Sequence, residues 1–144
     1  MKIRYFLIIV LLFSLLSGCK EESQVTTPPE KQLMLKFKMW GGWAASDVSL
    51  KVFNDNTAIK NDSNAETEVT FSDAEMNHLD LLLNDFPSFS RIYKQPDIIY
   101  VDIYNFELIN YENNIPDTVT VYEPINKVPE SLREIINVLS NKSY

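Results

Sequence analysis

Side chains that could carry out catalysis are few in this chain. His78 is the only histidine, and its neighbours Met76 and Leu79 place it on the flank of a predicted helix, facing water and without a nucleophile nearby in sequence. The three glycines are too few for a phosphate-binding loop. The sequence therefore predicts no enzyme, no cofactor, no metal site and no small-molecule substrate. Four nearby carboxylates lack the spacing of a calcium loop and fit a solvated helix face: Asp73, Glu75, Asp80 and Asp85.

The chemistry that the sequence does indicate centres on Cys19, the only cysteine. Lys2 and Arg4 precede an apolar run, Tyr5 to Leu16, that ends in small residues. This order predicts a secretory signal peptide over residues 1–18, and the apolar run is too short to span a bilayer as a helix. An ordinary cleaved signal peptide, with no role for the cysteine, is one interpretation.

The other interpretation is a lipid anchor. Leu16-Ser17-Gly18-Cys19 resembles the bacterial lipobox. That resemblance implies cleavage before Cys19, a diacylglycerol thioether on its sulfur and an acylated amino group. Two or more acyl chains hold a protein stably on a membrane, since each buried methylene contributes about 0.8 kcal/mol. We therefore expect a lipoprotein that is attached to the membrane, as its partner, through this lipid anchor.

Residues 19–31 are predicted to be the lipidated N-terminus and a flexible tether. The segment is polar, and Pro28-Pro29 stiffens its end. Lys20-Glu21-Glu22 resembles the lysine-plus-acidic export signal of surface lipoproteins in the Bacteroidetes group. The expected location is thus the cell envelope, at the outer membrane, with or without display on its outer surface. The formal charge of −7 becomes about −9 without Lys2 and Arg4, which argues against nucleic acid as a partner.

Residues 32–144 are predicted to form one α+β domain. Alternating apolar residues predict a strand from Leu33 to Met39 and a returning strand from Val48 to Val52. Thr57–Lys60 and Glu66–Phe71 together predict one further strand interrupted by a polar turn. A long strand from Ile98 to Ile109 and its hairpin partner, Thr118–Tyr122, complete the predicted sheet.

Two amphipathic helices are expected between and after these strands. Ser72 and Glu75 form a capping box before a helix that stops ahead of Pro87, and Pro129 begins the last helix. The order β-β-(β)-α-β-β-α predicts an antiparallel sheet of four to five strands with two helices packed on one face. The expected core stripes of the two helices are Met76, Leu79, Leu82, Leu83 and Phe86, and Leu132, Ile135, Ile136 and Leu139.

A candidate binding loop follows the first strand. Two glycines allow unusual backbone conformations, and the only two tryptophans of the chain flank them. Tryptophans in a protruding turn are typical of binding hot spots, although they could instead fold back onto the core. The loop consists of Trp40, Gly41, Gly42, Trp43, Ala44, Ala45 and Ser46.

The order of these elements is similar to that of the emfourin family. The matching segments are Gly41-Gly42-Trp43-Ala44, Val48–Val52, Ser72–Phe86, Pro96-Asp97 to Ile103, and Val128-Pro129 to Leu139. Emfourins inhibit thermolysin-like metalloproteases, so the resemblance implies an anchored protease inhibitor with the glycine loop as its contact.

The alternative is a non-catalytic interaction or assembly subunit of the bacterial envelope. The long strand predicts an aromatic face with Tyr100, Tyr104 and Phe106, opposite Ile99, Val101 and Ile103. That face could contact a partner or fill the space beneath the sheet.

The lipid anchor can be tested at its sulfur. Cys19→Ala should abolish labelling by a fatty-acid probe and leave a precursor that is uncleaved or soluble, because no other segment supplies two acyl chains. Labelling and membrane fractionation in the native host measure both effects. A labelled, membrane-bound Cys19→Ala variant would contradict the lipoprotein interpretation.

Overall fold

A seven-stranded sheet with two helices forms the centre of the protein in a computed structural model, which describes residues 30–42, 46–62, 65–94, 103–111 and 115–143. The predicted signal peptide and nearly all of the predicted tether lie outside these residues. The strands are β1 (Leu33–Gly41), β2 (Ser46–Phe53), β3 (Thr57–Asp62), β4 (Glu66–Thr70), β5 (Ile92–Tyr93), β6 (Tyr104–Asn110) and β7 (Asp117–Val121).

Strand β1 lies in the middle of the sheet, whose order is β4-β3-β2-β1-β6-β7-β5. Neighbours are antiparallel except for β5, which pairs in parallel with β7. The helices are α1 (Asp73–Leu83) and α2 (Glu130–Ser143), and short 3₁₀ helices lie at Phe86–Ser88 and Ile125–Lys127. The α+β class is thus confirmed.

One face of the sheet is the core face. In β1 and β2 the apolar positions of the predicted alternation are buried from Leu35 onward, whereas Leu33, before a register shift, is half-buried. Both predicted strands are confirmed. Strands β6 and β7 continue the same face with Phe106, Leu108, Val119 and Val121. The other face carries the intervening polar residues, such as Lys36, Lys38 and Lys51.

The predicted size of the sheet was wrong. Thr57–Asp62 and Glu66–Thr70 are two paired strands rather than one interrupted strand, because the polar turn between them reverses the chain. Strand β5 adds a parallel edge of two residues, so the sheet is mixed rather than antiparallel. The predicted long strand is described only from Ile103 onward, and its β-structure begins at Tyr104.

Both helices contribute to the core as the sequence predicts. Ser72 caps α1 in a complete capping box with Glu75, and Met76, Leu79 and Leu83 are buried while Leu82 is half-buried. The 3₁₀ turn that contains Pro87 follows α1 and buries Phe86. In α2 the whole predicted stripe is buried: Leu132, Ile135, Ile136 and Leu139.

An ion pair joins the start of α1 to the end of α2. Lys142 Nζ lies 2.9 Å from Glu75 Oε1 and donates to the carbonyl oxygen of Thr70 at 3.1 Å. The Glu75 carboxylate also accepts hydrogen bonds from the backbone N–H and the hydroxyl of Ser72. The same carboxylate therefore caps one helix and ties it to the other.

The core assignment of α1 predicts that truncation of two leucines of this helix, Leu79 and Leu81, has different effects on stability. Leu79→Ala should lower the free energy of unfolding by about 2–5 kcal/mol, because Leu79 is fully buried and its truncation leaves a cavity. Leu81→Ala is the matched control, since Leu81 is 69% exposed on the same helix and its loss should change stability little. Urea unfolding, monitored by circular dichroism, measures the free energy of unfolding of both variants. Equal effects would contradict the orientation of α1.

The network at Glu75 predicts an acid-dependent loss of stability. The Ser72 backbone N–H, with Lys142 and the Ser72 hydroxyl, lowers the pKa of Glu75 from 4.5 to about 2. Since the pKa is depressed in the folded state, the stabilisation is present above pH 4.5 and is lost as pH falls towards about 2. The effect should be modest because the side chain is 41% exposed.

In urea unfolding at several pH values, Glu75→Gln should flatten the decline over this pH range. Glu66→Gln is the control, because Glu66 makes no ion pair with any described residue. An unchanged acid profile in Glu75→Gln would show that other carboxylates control the acid sensitivity.

Candidate functional site

The predicted glycine loop is a hairpin at the end of the central strand. Gly41 pairs with Ser46 of β2 on one side and with Tyr104 of β6 on the other. Gly42 then donates its backbone N–H to the carbonyl oxygen of Ile103 at 3.0 Å. The start of the hairpin is therefore held by both neighbouring segments.

Both glycines adopt backbone conformations that other residues rarely take. Their φ angles are +88° at Gly41 and +68° at Gly42. A Cβ atom on Gly42 would lie 2.8 Å from ring carbons of Tyr104, and one on Gly41 would lie 3.1 Å from the Asn105 amide nitrogen. Close packing and positive φ together explain why the sequence has glycine at both positions.

Trp40 is a residue of strand β1, as is Gly41, so the predicted loop begins within this strand. It lies on the sheet face opposite the core, half-buried. Its ring meets Tyr122 edge to face, with 6.1 Å between centroids and 81° between planes. Lys38 Nζ lies 5.7 Å from the same ring centroid. Trp40 is thus fixed by neighbours that are themselves on the open face of the sheet.

The remaining loop residues are described only in part. Trp43, Ala44 and Ala45 lie outside the described residues, and Ser46 is the first residue of β2. Both alternatives for Trp43, exposure in the loop and packing onto the core, therefore remain predictions about a residue outside the described part of the chain.

The described part of the predicted aromatic face packs beneath the sheet, which is the alternative to a partner surface. Phe106 is 7% exposed, is part of the core and stacks on Phe37 with 6.1 Å between ring centroids. Tyr104 is half-buried, with its ring against Gly42. Tyr100 lies outside the described residues. Because Phe106 shares its face with Leu108, the aromatic residues of β6 point towards the helices instead of solvent.

The sheet face opposite the helices is open, as the predicted packing of both helices on one face implies, but the sequence analysis did not identify its lysines as candidate contacts. The alternation of lysines with core residues in β1 is their signal. Lys36 lies directly opposite Lys51, and neither makes an ion pair with a described residue. Lys38 is paired with Asp47, at 3.3 Å. Like charges opposite each other destabilise a strand pair, although Lys36 Nζ also lies 5.1 Å from the centroid of the Tyr111 ring, in a cation–π contact.

Titratable groups do not assemble into a catalytic arrangement among the described residues. His78 lies at the surface as predicted, and its Nε2 atom is 3.6 Å from Glu134 Oε2 of α2. Within the described ranges there is no group of three His, Cys, Asp or Glu side chains that could hold a metal ion. The contact of His78 with α2 is a surface ion pair when the imidazole is protonated.

Comparison with models of known protein families and with curated proteins finds no match. Among the helices of the described segments, none combines the length and the apolar character needed to cross a membrane.

The geometry of the hairpin predicts that Gly42 is required for stability. Gly42→Ala should lower the free energy of unfolding by about 1–3 kcal/mol, because alanine is strained at positive φ and its Cβ meets the Tyr104 ring. Thermal unfolding measures the loss. Ala74→Gly is a control for ordinary backbone entropy, since Ala74 is exposed in the first turn of α1 and should lose at most about 1 kcal/mol. A fully stable Gly42→Ala variant would contradict the hairpin conformation.

Proposed function

We propose that this chain is a lipid-anchored, non-enzymatic protein of the bacterial envelope that inhibits a thermolysin-like metalloprotease through the hairpin after β1. The observation that carries the proposal is the pair of positive-φ glycines, Gly41 and Gly42, at the end of the central strand. Positive φ is readily open only to glycine, and the pair ends β1 just before Trp43 in the sequence, a residue type that is typical of binding hot spots.

The way the hairpin is held supports this role. Its first residues pair with β2 and β6, so part of the loop is ordered before any partner binds. A preordered loop loses less conformational entropy on binding, which favours affinity. The restrained start of the hairpin also suits an inhibitor, because a segment that resists extension is a poor substrate for a protease cleft.

The confirmed elements also support the proposal through the resemblance to emfourins. Strand β1 runs into Gly41-Gly42, β2 returns, α1 carries a capping box and α2 follows Pro129, all in the order on which the resemblance depends. Shared order supports a shared fold more strongly than a shared activity. The activity therefore requires a direct test.

The test is inhibition by the mature lipoprotein, extracted in detergent, of a thermolysin-like protease from the same organism. Trp43→Ala should raise the inhibition constant about 30-fold, since a hot-spot tryptophan contributes about 2 kcal/mol or more. Leu81→Ala is the matched control, because Leu81 is an exposed apolar residue on α1. Melting temperatures of both variants should match the parent, and Gly42 variants are unsuitable because they strain the fold.

Two outcomes would contradict the inhibitor proposal. Full activity of every thermolysin-like protease at saturating lipoprotein excludes inhibition. Unfolding of Trp43→Ala would make Trp43 a core residue and remove the hairpin tryptophan as a contact. A serine protease assayed in parallel shows whether any inhibition is specific to metalloproteases.

The second candidate is an assembly subunit of the envelope, and the open sheet face favours it. Lys36 and Lys51 flank a hollow of about 150 Å³ there, with Glu107 and Ile109 also in its lining. Two adjacent cations without ion-pair partners among the described residues would suit an acidic surface on a partner. Capture of one envelope protein by the parent but not by Lys36→Glu/Lys51→Glu, with no protease inhibited, would favour this candidate.

A further inference from the structure

A cleft runs between α1 and the end of the sheet at which β1 begins. It consists of two adjoining cavities, of about 370 Å³ and about 500 Å³, which share Met34 and Asp80 in their linings. Each volume lies in the range of small-molecule sites. The cleft lies at the end of the sheet opposite the glycine hairpin, because Met34 is the second residue of β1 and Gly41 is its last.

A buried amide lines the first cavity without a partner. Asn110 is 8% exposed, and its side chain makes no hydrogen bond with any residue in the described ranges. It lies opposite Leu35 on the core face of β6, where Phe106 and Leu108 precede it as apolar residues. A buried amide without hydrogen bonds costs about 1–3 kcal/mol, so the fold alone favours an apolar residue at this position.

Local backbone structure around the cleft is also irregular. The register between β1 and β2 shifts between Leu33 and Leu35, which leaves Met34 as an extra residue of the strand. Bulges of this kind often occur beside binding sites because they redirect a strand. The Met34 carbonyl accepts a hydrogen bond from the backbone N–H of Tyr111 at 2.8 Å, so the bulge is held beside Asn110.

The side chains of the first cavity offer both kinds of hydrogen-bonding group. Asn84 and Asn110 can donate and accept through their amides, and the Asp80 carboxylate can accept. Partial desolvation raises the pKa of the Asp80 carboxyl group, although Asp80 is exposed as a residue. Met34, Leu83 and Pro87 supply apolar surface in the same cavity.

The second cavity differs because part of its polar lining is already engaged. Asn56 donates to Asp73 at 2.6 Å, and Asn54 accepts from the backbone N–H of Gln32 at 2.9 Å. Asn77 and Asp80 have no side-chain hydrogen bond to another residue in the described part of the chain. The groups left for a ligand thus concentrate around Asp80, where the two cavities meet.

We infer that this cleft binds a neutral saccharide, with Asn110 as the buried hydrogen-bonding anchor and Asp80 and Asn84 as further contacts. Saccharide hydroxyls both donate and accept, which matches a carboxylate beside two amides, and the C–H faces of a sugar ring match Met34, Leu83 and Pro87. No lysine or arginine is among the described residues that line either cavity, so an anionic ligand would lack charge compensation.

The test uses the mature lipoprotein in detergent and a defined panel of neutral oligosaccharides: α- and β-linked glucans, mannans, galactans and chitin oligomers. Oligogalacturonate serves as the anionic comparison. Isothermal titration calorimetry on the best probe should show millimolar or tighter binding that Asn110→Leu weakens about tenfold or more. The melting temperature of Asn110→Leu should be unchanged or higher, because the substitution removes an unsatisfied buried amide.

Asp80→Asn preserves the size of the side chain and should also weaken binding, whereas Asn61→Ala, on the open sheet face, should not.

The inference is overturned if no neutral oligosaccharide binds at millimolar concentration, if Asn110→Leu binds as well as the parent, or if oligogalacturonate binds more tightly than every neutral probe. Displacement of the saccharide by an unrelated neutral peptide would overturn the ligand class. Asn110→Leu should leave protease inhibition unaffected. Failure of saccharide binding at the cleft can therefore be distinguished from failure of protease inhibition through the hairpin.

Discussion

Burial of the core face of β1 under the two helices is the constraint on which the rest of the structure depends. Phe37 lies at the centre of this face, opposite Leu50 of β2 and Leu108 of β6. Because β1 pairs on both sides, its register fixes which residues of β2 and β6 face the helices. The same register places Gly41 at one end of the sheet and the Met34 bulge at the other, so both candidate sites are positioned by one strand.

Features determined by local sequence could be predicted, and features determined by distant pairing could not. The Ser72 capping box and the apolar stripe of α2 depend on residues within a few positions of each other, and both were predicted correctly. The two-residue strand β5 exists only through its pairing with β7, so no periodicity could reveal it. The β3–β4 hairpin was missed because the exposed, polar β4 has no buried alternation of its own.

In the candidate sites, too, features set by local sequence could be predicted, whereas features set by distant packing could not. The sequence predicted the glycine pair, because two adjacent glycines between apolar strands indicate unusual backbone geometry. Alternation in β6 predicted two faces correctly but did not tell which one packs on the helices, and the aromatic face with Phe106 proved to be the buried one. Asn110 follows the same alternation, so its burial could not be recognised before that face was known.

Asn110 and the Lys36–Lys51 pair are two places, among the residues that the structure describes, where the chain departs from what stability alone favours. A core-facing amide without a partner among the described residues and two opposed cations each weaken the fold, and leucine or serine at these positions would relieve the cost. Local choices that oppose the fold concentrate at functional sites. The hairpin differs, because its glycines are required by the fold itself. For that reason Asn110→Leu can separate binding from stability, whereas substitution of Gly42 cannot.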